Sequence, residues 1–151
     1  MTDITTYDDP AFATLAVAQE DELRERYGGE SEPGVKPSAE DVLLAVVIRD
    51  DDGTPVACGA LRVLDDEAVE LKRMYVVPEA RGRGLARAVI AAIEDAARAR
   101  GFTVARLETG SWQDDAIALY TSSGYHEIPL FGAYAGAPES RCFERSLTPP
   151  R

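Results

Sequence analysis

The chain reads as an α/β domain built on a mixed, mostly antiparallel sheet flanked by helices, and three observations predict it. Residues 42–48, 55–64 and 68–77 are strand-like segments joined by the short polar turns Asp50-Asp51-Asp52-Gly53 and Asp65-Asp66, the pattern of an antiparallel meander. A helical segment over 84–100 separates the third strand from a fourth at 102–107, which predicts a parallel crossover. After a second helix at 113–122, two closing strands at 125–128 and 142–147 flank a glycine-rich loop, 129–140. At 151 residues with 45% hydrophobic side chains, the chain has the size and composition of one domain with one core.

The elements follow in order. Residues 4–7 predict a short first strand, and Asp8-Asp9-Pro10 has the form of a helix cap with proline in the first turn. Residues 11–27 contain no proline or glycine and predict a helix ending at Gly28-Gly29. Phe12, Leu15, Ala16, Leu23 and Tyr27 share one face of it, interrupted by Gln19. Residues 30–40, with Pro33, Gly34 and Pro37, predict a loop. The run 42–48, VLLAVVI, predicts a strand buried on both faces. In 84–100, Leu85, Val89, Ile93 and Ala97 recur every four residues before Gly101 ends the helix.

The net charge of −11 argues against binding a nucleic-acid backbone. No apolar run approaches the roughly 20 residues of a membrane span, and MTDITTYDDP lacks the basic start and apolar core of a signal peptide, so a cytoplasmic location is expected. Cys58 and Cys142 lack metal-site spacing and are expected to be buried, reduced thiols, with no metal bound. The charge is uneven: residues 1–41 carry 11 acidic and 3 basic side chains. Between Lys72 and Arg87 the balance reverses, with Lys72, Arg73, Arg81, Arg83 and Arg87 against Glu79.

That basic cluster surrounds Arg81-Gly82-Arg83-Gly84, which leads from the third strand into the long helix. Glycines there let the backbone approach a ligand, and unpaired N–H groups at a helix start attract anions. The stretch is neither a dinucleotide fingerprint, since Arg87 stands where GxGxxG needs glycine, nor a P-loop. From these residues alone, an anion cradle and an ordinary strand-to-helix turn are both open.

Arg81-x-x-Gly84-x-Ala86 fits the pattern [RQ]xxGx[GA]. It is followed by Leu107-Glu108-Thr109-Gly110, by Ala116-Ile117-Ala118-Leu119-Tyr120 and by Gly124-Tyr125. Together, over residues 42–147, these resemble the GNAT superfamily of GCN5-related N-acetyltransferases. The resemblance implies the GNAT fold and acetyl transfer from acetyl-CoA to a primary amine of a small molecule or peptide, by direct attack in a ternary complex. It implies that the amides of Gly82, Arg83, Gly84, Leu85 and Ala86 hold the CoA pyrophosphate, helped by the Arg81 and Arg83 side chains. The strand end Met74-Tyr75-Val76 would bulge and pair with the pantetheine arm, and Ala116 would line the cofactor site. Gln113 stands where the family commonly has asparagine, three residues before the motif alanine.

The same resemblance nominates Glu70, eleven residues before Arg81, as general base, with Glu108 as a substitute. Alternation places Glu70 on the face of Met74 and Val76 if no bulge intervenes. Tyr120 is the expected general acid toward the CoA thiolate. Tyr134, in the late loop, is expected to line the acceptor pocket. Each has a structural alternative: a carboxylate beside Lys72, a half-buried core tyrosine, an aromatic packed under a loop. His126 and Trp112 are expected to be a surface histidine and a loop-packing residue. The acidic N-terminal region suggests a cationic acceptor. An exposed edge strand would allow a homodimer. Transfer of another acyl group, transfer to another acceptor, and a non-catalytic CoA-binding module are the alternative functions.

Overall fold

The meander forms as the turns dictate. In the computed structural model, which describes residues 1–27 and 41–148, β1 (Thr2–Thr5), β2 (Val42–Arg49), β3 (Pro55–Val63) and β4 (Ala68–Val76) pair antiparallel in that order. β1 starts two residues earlier than the 4–7 segment because Thr2 to Thr5 find partners in Ile48 to Ala45. α1 (Pro10–Tyr27) is capped by Asp9, whose carboxylate accepts the Ala11 N–H at 2.8 Å. The expected loop over 30–40 and the Gly28-Gly29 stop lie outside the described residues.

α2 (Leu85–Ala99) makes the crossover, and β5 (Val104–Gly110) returns parallel to β4. α3 (Asp114–Ser122), β6 (His126–Ile128) and β7 (Ser140–Ser146) complete a sheet of order β1-β2-β3-β4-β5-β7-β6. α1 covers one face, with Phe12 and Leu15 against Val42, Ala45, Val47, Cys58 and Ala60. α2 and α3 cover the other. There the four-residue stripe Leu85, Val89, Ile93, Ala97 meets Val46, Leu61, Val69, Leu71 and Leu107. Cys58 and Cys142 are buried free thiols. No helix among the described residues is long and apolar enough to cross a membrane.

Two irregularities shape the site. The first is a bulge in β4: Ala60 pairs with Lys72 but Cys58 pairs with Tyr75, so β4 carries one extra residue at Arg73-Met74. Arg73 takes φ 57, a left-handed conformation costly for a side chain this large, and its carbonyl accepts a bond from Cys58 Sγ at 3.2 Å. The extra residue reverses the alternation. Val69, Leu71, Met74 and Val76 all pack toward α2, leaving Glu70 and Lys72 on the α1 face. The expectation that Glu70 shares a face with Met74 and Val76 is therefore corrected.

The second irregularity is a split. β4 and β5 pair only where Ala68–Glu70 meet Val104–Arg106. Beyond that point they diverge, while β5 keeps pairing with β7 as far as Gly110 opposite Ser140. This continued pairing carries β5 three residues past position 107.

Candidate active site

A cavity of about 730 Å³ fills the wedge between β4 and β5, lined by Leu71 to Val76 on one side and Glu108 to Gly110 on the other. That volume suits a small-molecule ligand. The cavity runs through the sheet. On the α2–α3 face it meets the Arg81–Ala86 turn, Ala116, Leu119 and Tyr120; on the α1 face it meets Gln19, Leu23, Lys72, Glu108 and Ser140. Gln19, which interrupts the apolar stripe of α1, is thus a wall of the cavity.

At the helix start, a 3-10 turn (Pro78–Ala80) leads into Gly82 at φ 83 and Gly84 at φ 76. A Cβ at either glycine would meet nothing within 4 Å, so the requirement is conformational rather than steric. Among the described residues, no backbone N–H from Gly82 to Arg87 has an acceptor in the protein; the first paired amide is Ala88, bonded to the Gly84 carbonyl at 3.1 Å. Six consecutive donors at the positive end of α2 make an anion site.

The arginines are less available than the sequence suggests. Arg81 donates to both Glu22 oxygens, at 2.7 and 2.9 Å, and to the Val76 carbonyl at 3.0 Å. Arg83 turns to Asp50 at 3.1 Å and does not line the cavity, which removes its side chain, though not its amide, from the expected cradle. Arg87 does line the cavity and reaches Ser122 Oγ at 2.7 Å. Its sequence signal was membership of the Lys72–Arg87 basic cluster.

Glu70 does not line the cavity. It has no exposed surface, accepts bonds from Arg62 at 2.7 Å and from Tyr134 Oη at 2.6 Å, and faces α1's side of the sheet. Tyr134 also lies beneath the loop rather than in the cavity wall. It accepts a bond from Lys72 Nζ at 3.1 Å and packs edge-on to Phe131. Burial, then the Glu70 charge, pushes its phenol far above the usual range. Ala137 to Ser140, in the same loop, form the wall instead.

Glu108 opens into the cavity, and Ser140 Oγ donates to its Oε2 at 2.6 Å. Across the sheet, Tyr120 is buried on α3 and its hydroxyl makes no hydrogen bond among the described residues. Burial first, and the Glu108 charge second, raise its pKa well above the ordinary phenol value, so it stays protonated at neutral pH. Met74, Tyr75, Val76, Gln113 and Ala116 all line the cavity, and the Gln113 carbonyl accepts the Ile117 N–H at 3.0 Å to start α3. Trp112 is 44% exposed at the rim, with its ring against Gly110. His126 is a surface residue outside the cavity. Among the described residues no cluster has metal-binding composition.

A sheet split around a cavity, with a row of unpaired amides at a helix start on one edge, defines an acyl-CoA-dependent acyltransferase architecture. The profile of the acetyltransferase (GNAT) family matches residues 9–125, and the chain belongs to this family. Its enzymes use acetyl-CoA as acyl donor. A protein from Klebsiella pneumoniae described as an acyl-CoA N-acyltransferase has a similar structure, with TM-score 0.83 and 32% identity over 98% of this chain and 97% of that one. A GNAT acetyltransferase from Elizabethkingia anophelis, solved with acetyl-CoA bound, shares the fold at TM-score 0.71 and 14% identity, over 97% of both chains. The IAA acetyltransferase of Azospirillum brasilense is 42% identical over 96 residues, 63% of each protein. The matched stretch is therefore under two thirds of that relative's length.

Proposed function

We propose that this protein transfers an acetyl group from acetyl-CoA to a primary amine of a small molecule or peptide, with Glu108 as general base and Tyr120 as proton donor. The carrying observation is the cavity that runs through the split sheet, with Glu108 on the α1 face and Tyr120 on the α2–α3 face. The residues present fit the donor: six unpaired amides suit a diphosphate, and the unpaired edges of β4 and β5 suit an extended arm. Acetyl-CoA supplies an acyl thioester there.

The chain's own groups do the rest. An alkyl amine is protonated at neutral pH and cannot attack until it loses a proton, and Glu108 is placed to accept that proton from the α1 side. Ser140 Oγ donates to Glu108 Oε2 and fixes the carboxylate's orientation. Tyr120 holds its proton on the opposite side, where it supplies a hydrogen bond to a departing sulfur. Glu108 displaces Glu70 as base because Glu70 is sealed between Arg62 and Tyr134.

The test is a thiol-release screen with acetyl-CoA across amines, polyamines, amino acids, N-terminal peptides and, given the relative's name, IAA. Release with an amine and loss of acetyl-CoA binding by Gly84→Asp are expected. No calorimetric binding of acetyl-CoA, or binding with no release from any acceptor, rejects the reading.

A further inference from the structure

Gln19 carries a feature that the roles above leave unused. Its Oε1 is sealed from solvent and has no hydrogen-bond partner among the described residues, yet the side chain lines the cavity. Leu15, one turn earlier on α1, packs into the core beneath the helix, and Leu23, one turn later, lines the cavity beside Gln19. Two ion pairs fasten this stretch of α1 in place: Glu20 to Arg73 in the β4 bulge and Glu22 to Arg81 in the turn before α2, each at 2.7 Å. A buried amide oxygen without a donor is costly, and methionine, of similar length, would fill the position without that cost.

Gln19 and Glu108 share the α1 side of the cavity, where the acceptor enters. A primary ammonium brings three N–H groups to these two acceptors. One proton passes to Glu108 before attack. A second leaves when the nitrogen bonds to the thioester carbon and the carbon–sulfur bond breaks, replacing the proton that Tyr120 gives to sulfur. The third stays on the nitrogen from bound amine to amide product. A secondary amine has no such third N–H. We infer that Gln19 is a specificity-determining residue that selects primary amines, its Oε1 accepting the one N–H of the acceptor that survives the reaction. This rests on the acetyl-transfer reading above.

Steady-state kinetics test it with the primary amine that releases thiol fastest in the screen above and with the N-methyl derivative of that amine. Gln19→Met is expected to lower kcat/KM for the primary amine about fivefold, chiefly through KM, the equivalent of about 1 kcal/mol. The N-methyl derivative is expected to change less than about twofold, so the preference for the primary amine shrinks. Gln19→Glu keeps an oxygen acceptor and is expected to keep that preference. Calorimetric affinity for acetyl-CoA is expected to stay at the parent value in both variants, and the free Gln19→Met protein to melt no lower than the parent. If it does melt lower, Gln19→Ala serves as the amide-free variant.

An undiminished primary-amine rate in the amide-free variant overturns the inference, as does equal loss for both amines, loss of the preference in Gln19→Glu, or a matching fall in acetyl-CoA affinity. Should the N-methyl derivative be inert throughout, the loss on the primary amine and its restoration by Gln19→Glu decide. A parent protein that acetylates no amine instead rejects the acetyl-transfer reading itself, so the two failures are distinct.

Discussion

Glu70 and Glu108 lie on neighbouring strands and the same face of the sheet, yet only Glu108 reaches the cavity. Replacing Glu108 with Gln keeps the Ser140 contact and removes the proton acceptor; kcat is expected to fall about 10²- to 10⁴-fold with acetyl-CoA affinity nearly unchanged. Replacing Glu70 with Gln leaves Arg62 facing a neutral partner in a buried site, which costs about 3 kcal/mol in denaturant melts. That is the low end for such pairs, because Asp41, 3.6 Å away, also balances Arg62. If Glu70→Gln abolishes turnover at unchanged stability, the base is Glu70 after all. The resemblance named both carboxylates and put Glu70 first by its distance from Arg81, with alternation placing it beside Met74 and Val76, and the bulge at Arg73-Met74 broke that alternation. Arginine at positive φ gives no warning, since glycine or asparagine normally marks such a position. The signals were the bulge that the resemblance implied at Met74-Tyr75-Val76 and Gly59, a strand-interior glycine standing opposite the bulge.

At the scale of elements, that same glycine sets how closely α2 lies on the sheet. A Cβ on Gly59 would sit 2.7 Å from Met74 Sδ, 2.7 Å from Val89 Cγ1 and 2.9 Å from Ile93 Cδ1. Met74 can swing aside, but Val89 and Ile93 are branched and fully buried. Gly59→Ala is expected to cost about 1–3 kcal/mol and, by shifting the helix whose first amides form the cradle, to weaken acetyl-CoA binding. Unchanged denaturation midpoint and affinity would show that α2 has room to spare. Helix α2 was legible because four apolar residues repeat at one spacing and glycines stand at both ends. β5 runs past the 102–107 segment because its pairing to β7 is a long-range fact that no local pattern carries. The late loop was legible as a loop, but not in its inner arrangement, since Tyr134 under the loop and Tyr134 in a wall leave the same letters.

For the molecule as a whole, burial of weak acids sets the alkaline limit. Burial pushes the Cys58 thiol from 9.0 up to about 12, slightly offset by Arg73, and also raises Tyr120, Tyr125 and Tyr134 above the ordinary 10.0. A raised folded-state pKa contributes stability that is whole below the unfolded value and disappears as pH climbs through the folded one. Stability is therefore expected to decline from about pH 9 upward, with Cys58 alone accounting for about 4 kcal/mol by pH 12. Denaturant melts between pH 8 and 11 check this: the parent should lose stability more steeply than Cys58→Ala, and a flat profile for the parent contradicts it. The sequence conveyed the thiols' burial from their strand-like surroundings, and the α/β fold class from the order of its strands and helices. The sheet's division came only through the resemblance, which implied a bulging strand end at Met74-Tyr75-Val76, because strands 68–77 and 102–107 each look complete in isolation. Only three rungs, Ala68–Glu70 against Val104–Arg106, fasten four strands to the other three. Like a zip left mostly open, that seam is where the sheet parts, and a cofactor threaded into it would serve as the missing teeth, stitching the two halves together for as long as it stays.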